Sequence, residues 1–173
     1  MGMLTFWQCF TVNAAQMTSN FLAYATLGGL AIALLFSIYT DIRYRLIYNK
    51  VTLVIALGAP AFWYATGGFN VPDIGIHLLT AAITFAFFAL AFHFGAMGGG
   101  DVKLFAALAL WFHWIEVVRL ILYASILGAL VTIIFVIIHK LKQRDGRARI
   151  PYGVAISISG LWIAGERIFN HFT

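Results

Sequence analysis

Apolar runs long enough to cross a lipid bilayer recur along this chain, and they restrict its fold more than any other feature. Residues 21–40, 74–94 and 120–138 contain no Asp, Glu, Lys or Arg. Twenty residues of α-helix measure about 30 Å, which matches the hydrocarbon core of a bilayer. Because lipid offers no partner for backbone N–H and C=O groups, an apolar run inside it must be helical. The sequence therefore predicts an all-α membrane protein.

The remaining apolar runs extend this prediction to six transmembrane helices. The predicted spans are residues 21–40, 51–65, 74–94, 102–114, 120–138 and 151–169. The fourth run has room for about 20 Å of helix, which is too short for an upright crossing. With 62% hydrophobic and 10% charged residues, the composition excludes an ordinary soluble domain. We expect residues 1–20 to form a tail outside the membrane and residues 21–173 to form one six-helix domain.

Basic residues predict the orientation of these helices. Nine of the eleven lysines and arginines fall in residues 41–50, 95–103 and 139–150, which alternate on one side. The excess of Lys and Arg in cytoplasmic loops makes this side cytoplasmic and places both termini outside. Membrane topology and contact with anionic lipid headgroups explain the positive charge, so no nucleic-acid partner is predicted. The predicted location is the cytoplasmic membrane.

A glycine-rich break carries the most unusual charge in the chain. Gly98, Gly99 and Gly100 precede Asp101 between two apolar runs. Three glycines oppose helix formation because each loses much backbone freedom on folding. An ionisable residue at such a position is a candidate functional group. The pattern predicts a flexible, water-accessible break that an extended peptide could approach closely.

Asp41 is the best candidate partner for Asp101, because it ends the first apolar run on the same predicted side. Two carboxylates held close together cannot easily both ionise, so they share a proton. The ionised member can take a proton from water, and the protonated member can donate to a carbonyl oxygen. The pair therefore predicts peptide hydrolysis without a metal or other cofactor.

These segments resemble the type IV prepilin peptidases, which are membrane aspartic peptidases with a GxGD motif. Residues 98–104 read GGGDVKL, residues 41–49 read DIRYRLIYN, and residues 150–155 read IPYGVA. The first two resemble the family's two aspartate motifs, and the third resembles a stretch near the start of its last helix. One difference is Tyr48, where the family usually has proline.

The resemblance implies a substrate and a reaction. The expected substrate is a prepilin or pseudopilin, cleaved at the cytoplasmic face between a basic leader and an apolar helix, in a bacterial or archaeal membrane. The small size resembles the Tad/Flp pilus type, which lacks a methyltransferase domain, so no N-methyltransferase activity is expected. The implied catalytic residues are Asp41 and Asp101. The associated motif residues are Gly98, Gly99, Gly100, Lys103, Arg43 and Asn49.

Simpler interpretations of the same residues remain open from sequence alone. Asp101 could cap the helix that starts at Val102, and Asp41 could pair with Arg43 or Arg45. Lys103 could lower the pKa of a nearby carboxyl group, but the favoured interpretation is that its ammonium group extends to the lipid headgroups. Asn49 is expected to cap the second helix, and Arg43 to set topology. Two other functions also remain, a presenilin-like intramembrane protease and a non-enzymatic proton-coupled transporter or assembly factor.

Overall fold

The computed structural model describes the backbone of residues 2–67, 69–141 and 151–170, and the side chains of residues 16–67, 69–137 and 151–169. Six helices make up this part of the chain, which confirms the predicted all-α class. They are α1 (Gly2–Tyr44), α2 (Asn49–Ala65), α3 (Val71–His93), α4 (Gly99–Ala109), α5 (Trp114–Leu141) and α6 (Tyr152–Asn170). The side chains of the predicted basic loop, residues 139–150, lie outside the described residues.

Three helical segments are long and apolar enough to cross a membrane. They are Gln16–Tyr44, Val71–His93 and Trp114–Ile137. Their surfaces expose large apolar side chains such as Ile32, Leu79 and Ile126. An extensive exposed apolar surface of this kind suits contact with lipid. Six crossings, the outside position of both termini and the tail at residues 1–20 stay predictions.

Two predicted boundaries are wrong. Helix α1 continues to Tyr44, so Asp41 lies inside the helix and the connection to α2 is only residues 45–48. Residues 115–119, which lie between the predicted fourth and fifth spans, belong to α5, and the break lies at residues 110–113. The reason is local, because Glu116 accepts a 2.9 Å hydrogen bond from the His113 amide and so caps the start of α5.

Short helix α4 lies at the centre of the bundle, packed against α2, α3 and α6. Its Leu104 and Leu108 are fully buried, and Phe105 stacks on Phe88 with ring centroids 4.2 Å apart. Partners from three other helices therefore hold α4 on several sides. This packing fixes the position of Asp101 in its first turn.

The connection from α4 to α5 is held by side chains that satisfy its free carbonyls. Trp63 donates to the Leu110 carbonyl at 2.9 Å, and Arg167 donates to the Trp111 carbonyl at 3.1 Å. His77 Nδ1 lies 3.2 Å from the Phe112 carbonyl oxygen. Unpaired carbonyls at a buried helix end are costly, so these three contacts allow a short helix to end inside the bundle.

Trp111 is part of the same arrangement and lies inside the bundle. Its side chain is 2% exposed, and its indole N–H donates to the Ile55 carbonyl at 2.7 Å. The ring packs so closely on Gly58 that a Cβ there would lie 2.7 Å from it. Trp114, by contrast, is exposed.

Candidate active site

Asp41 lies one turn before the end of α1 and is 5% exposed. Its Oδ2 accepts a 3.0 Å hydrogen bond from the Val154 amide in the first turn of α6. The N-terminal amides of a helix attract negative charge because they have no partner inside the helix. The start of α6 therefore holds the Asp41 carboxylate against its backbone.

Gly153 makes this contact possible. A Cβ at residue 153 would lie 2.8 Å from Asp41 Oδ2 and 2.7 Å from Ile47 Cδ1. Any side chain at this position would displace the carboxylate or the Ile47 side chain. Gly153 was not among the predicted site residues. The signal that could have found it is the IPYGVA stretch, where a glycine follows Pro151 at the start of the last helix.

Asp101 lies in the first turn of α4, three residues after the N-cap Gly98. Its side chain folds back, so that a Cβ at Gly98 would lie 2.9 Å from Asp101 Oδ2. The interpretation of Asp101 as the N-cap is therefore wrong. An acidic side chain that reaches back to the N-cap residue is the second half of a capping box.

The glycine-rich break is shorter than predicted, because Gly99 and Gly100 are helical and only residues 94–98 interrupt the helices. The glycines provide space more than flexibility. Gly99 faces Phe92 at ordinary contact distance, whereas a Cβ at Gly100 would lie 3.1 Å from Ile47 Cβ. Close packing and the capping contact thus overcome the poor helix propensity of glycine here.

The fold brings Asp41 and Asp101 close enough to influence each other. Asp101 lies outside the three candidate spans, at the start of α4. Burial, and after it the neighbouring Asp41 carboxylate, raise the pKa of Asp101 from its ordinary 3.8 to about 7. A backbone hydrogen bond with Gly98 opposes this rise. Near neutral pH, Asp101 can therefore hold a proton beside a second carboxyl group.

Lys103 and Asn49 bind each other across α4 and α2. Lys103 Nζ donates to Asn49 Oδ1 at 2.9 Å. The prediction that Asn49 caps α2 is wrong, because the N-cap is Tyr48 and no side chain caps this helix end. The tip of Lys103 contacts an amide oxygen here. The pair ties the start of α2 to the helix that carries Asp101.

Arg43 and Arg45 are both exposed. Neither forms an ion pair with Asp41 among the described residues, where the ion pairs are Arg119–Glu166 and Arg167–Glu116. The interpretation of Asp41 as a surface ion-pair partner is therefore wrong. Arg45 lies 5.8 Å from the centre of the Phe135 ring.

Tyr48 adopts the backbone shape that proline would impose. Its φ is −72° and its ψ is 132°. Proline fixes φ near −65° and is followed readily by a helix start. The residue that differs from the family pattern thus keeps an extended conformation of the kind that proline favours.

Two buried serines lie at matching positions of α1 and α6, one turn below Asp41. Helices α1 and α6 are antiparallel, with Gly153 against Asp41 and Gly160 against Leu34. Between these contacts the register places Ser37 opposite Ser157. Both side chains are fully buried, and neither hydroxyl has a hydrogen-bond partner within the described residues. One water held between two opposed hydroxyls would satisfy both.

Single and double alanine variants of these serines test this pairing. Ser37→Ala or Ser157→Ala should lower stability by about 1–2 kcal/mol, because each removes one of the two hydroxyls that a bridging water would need. The double variant should lose no more than either single variant. Thermal unfolding in detergent measures this, with Ser159→Ala as control, because Ser159 bonds its own helix at Ala155. Additive losses, or stabilisation by a single variant, would contradict the pairing.

Comparison with known proteins adds a family to this geometry. Residues 28–133 match the model of the type IV leader peptidase family, and the matched range contains Asp41 and Asp101. The chain is similar to proteins named prepilin leader peptidase/N-methyltransferase. It is 40% identical to that of Legionella pneumophila over 44% of this chain and 26% of the relative. It is 30% identical to that of Aeromonas hydrophila over 73% of this chain and 43% of the relative.

The chain thus spans less than half the length of these relatives. No solved structure matches it.

Proposed function

Because the chain belongs to the type IV leader peptidase family, we propose that it is a membrane aspartic endopeptidase that removes leaders from prepilins or pseudopilins. One observation carries this proposal: Asp41 of α1, held by the start of α6, lies close to Asp101 in the first turn of α4. Carboxyl groups on two different helices converge there, and one has a pKa of about 7. A pair with unlike protonation states is the requirement for hydrolysis by two carboxyl groups.

The geometry supports different roles for the two carboxyl groups. Asp41, which accepts the Val154 amide, is the proposed base that takes a proton from the attacking water. Asp101 is the proposed donor to the carbonyl oxygen as negative charge develops there. The water oxygen bonds to the carbonyl carbon, and the tetrahedral intermediate then expels the amine. The amine leaves with the proton that Asp41 received, and Asp101 recovers its own.

The cytoplasmic face is the proposed location of this chemistry. The basic residues Arg43, Arg45 and Lys50 follow Asp41, and Lys103 follows Asp101. This is the side that the distribution of Lys and Arg predicts to be cytoplasmic. A prepilin has its basic leader on the same side, so its scissile bond would meet the two aspartates at the membrane surface. The proposal also includes a relation of this chain to the Tad/Flp type of peptidase and the absence of N-methyltransferase activity.

A matched pair of substrates tests the proposed function. Membranes that contain the chain should cleave a synthetic prepilin at the junction of its basic leader and apolar helix. A second peptide with the same helix and a leader whose lysines and arginines are replaced by glutamine should be a poor substrate. Equal cleavage of both peptides, or cutting within the helix, would favour the presenilin-like alternative. No cleavage of either would favour the non-enzymatic transporter or assembly factor.

The raised pKa of Asp101 predicts a pH dependence. As the donor, Asp101 must be protonated, so the rate should fall as pH rises through about 7. The decline should approach about tenfold per pH unit in alkaline solution. Initial cleavage rates from about pH 6 to about pH 9 measure this. Samples returned to the lower pH should regain full rate, which separates titration from unfolding. A constant rate across this range would contradict the donor role.

A further inference from the structure

Ile47 is the inward-facing residue of the loop that connects α1 to α2. This loop consists of residues 45–48 and turns back at Arg45, whose φ of +53° lies in the left-handed region. Leu46 and Tyr48 are exposed, with 56% and 46% of their surfaces accessible, whereas Ile47 is half-buried. Successive side chains of an extended segment point to opposite faces, which explains this alternation.

The Ile47 side chain fills the space between the starts of α4 and α6. On one side, a Cβ at Gly100 would lie 3.1 Å from Ile47 Cβ. On the other side, a Cβ at Gly153 would lie 2.7 Å from Ile47 Cδ1 and 2.8 Å from Asp41 Oδ2. Ile47 therefore lies beside the Asp41 carboxylate and one residue from Asp101. Among the described side chains, it is the apolar group that contacts both glycines at the site.

We propose that Ile47 limits the size of a substrate residue that flanks the scissile bond. This inference rests on the proposed function. For hydrolysis, the peptide carbonyl must come within hydrogen-bond distance of the two carboxyl groups, about 3 Å. A residue next to that carbonyl then meets the Ile47 side chain, which is packed against two helix starts and has little room to retreat. Glycine fits this space, alanine fits less well, and a β-branched residue such as valine does not fit.

Steric exclusion of this kind requires that the Ile47 side chain stay in place when a substrate binds. Close packing against the backbone at Gly100 and Gly153 restrains Ile47 on two sides. Small differences in side-chain size at a pocket change specificity by roughly 10–200-fold per methylene group. Removal of Ile47 atoms should therefore change the ranking of substrates and not only the overall rate.

Two series of prepilin peptides test the inference. One series varies the residue before the scissile bond as Gly, Ala or Val, and the other varies the residue after it. The measured quantity is kcat/KM for each peptide with wild-type enzyme and with Ile47→Ala. In at least one series, the ratio of kcat/KM for the glycine peptide to that for the alanine peptide should be at least about tenfold lower with Ile47→Ala than with the wild-type enzyme. Leu46→Ala, which truncates the exposed neighbour, should keep the wild-type preference.

A milder variant keeps the test decisive if Ile47→Ala fails to fold. Ile47→Val removes only Cδ1, the atom nearest Gly153, and should give a smaller shift in the same direction. If every folded Ile47 variant kept the wild-type preference in both series, the inference would be overturned and the proposed function would stand. Absence of cleavage of every peptide by the wild-type enzyme would instead overturn the proposed function, and the inference with it.

Discussion

Asparagine in place of Asp41 or Asp101 is expected to reduce prepilin cleavage by at least about a thousandfold. Each substitution preserves size and polarity but removes the acid–base capacity of one carboxyl group. Without Asp41 no base accepts the proton of water, and without Asp101 no acid donates to the carbonyl oxygen. The double variant should be no slower than either single variant, because members of one catalytic unit are strongly non-additive.

A matched control for these variants lies in the first turn of α3. Asp73 occupies the same helical position relative to its N-cap Asn70 as Asp101 occupies relative to Gly98, but its carboxylate is half-buried and accepts a 2.8 Å hydrogen bond from the Asn70 side chain. Asp73→Asn should cleave at the wild-type rate. The variants are compared by their initial rates of prepilin cleavage, measured at equal amounts of membrane-inserted protein. Substantial turnover by Asp41→Asn or Asp101→Asn would remove that residue from the proposed mechanism.

Alanine in place of Gly153 is expected to reduce cleavage by about a hundredfold, which is the effect of misplacing a reacting group by about 1 Å. The new Cβ would lie 2.8 Å from Asp41 Oδ2, so the carboxylate must shift away from the start of α6. The effect should be mainly on kcat, because the change displaces a reacting group. Gly153 is thus a positioning residue that acts through Asp41.

Gly165→Ala is the control for the general effect of alanine in α6. No atom lies within 4 Å of a Cβ at Gly165, and alanine favours a helix over glycine by about 1 kcal/mol. Gly165→Ala should therefore be active and as stable as the wild type or more so. If the Gly153 and Gly165 variants cleaved prepilin equally fast, Gly153 would have no role in holding Asp41.

The sequence predicts most of the helices and the proximity of the two aspartates, because apolar runs and short motifs are local patterns. Apolar runs and breaks locate most helix ends to within a few residues. The largest error is at α1, which begins at Gly2 and not at residue 21. The two motif segments single out Asp41 and Asp101, which the fold then brings together. The sidedness of the site depends on a membrane and stays a prediction from the basic residues.

The details that the sequence does not reveal depend on distant contacts. Val154 and Asp41 are separated by 113 positions, so nothing local indicates that Gly153 must leave room for a carboxylate. Trp111 resembles an interfacial tryptophan until its partners Gly58 and Ile55 are known. Each of these contacts joins two helices, and only the packed bundle brings their residues together.

The same applies to the glycine-rich segment. Glycine propensity argues against a helix there, and the helix nevertheless begins at Gly99 because Asp101 reaches back to Gly98 and Ile47 packs on Gly100.

Mass spectrometry of the products would show whether this chain alone cuts prepilin with Asp41 and Asp101. The purified chain in lipid nanodiscs is incubated with a synthetic prepilin, beside an equal amount of Asp101→Asn. The wild type should yield two fragments whose masses sum to the prepilin plus one water, with the cut between the basic leader and the apolar helix. Asp101→Asn should leave the prepilin intact. An uncut prepilin with well-folded wild-type chain, or the same fragments with Asp101→Asn, would contradict the account.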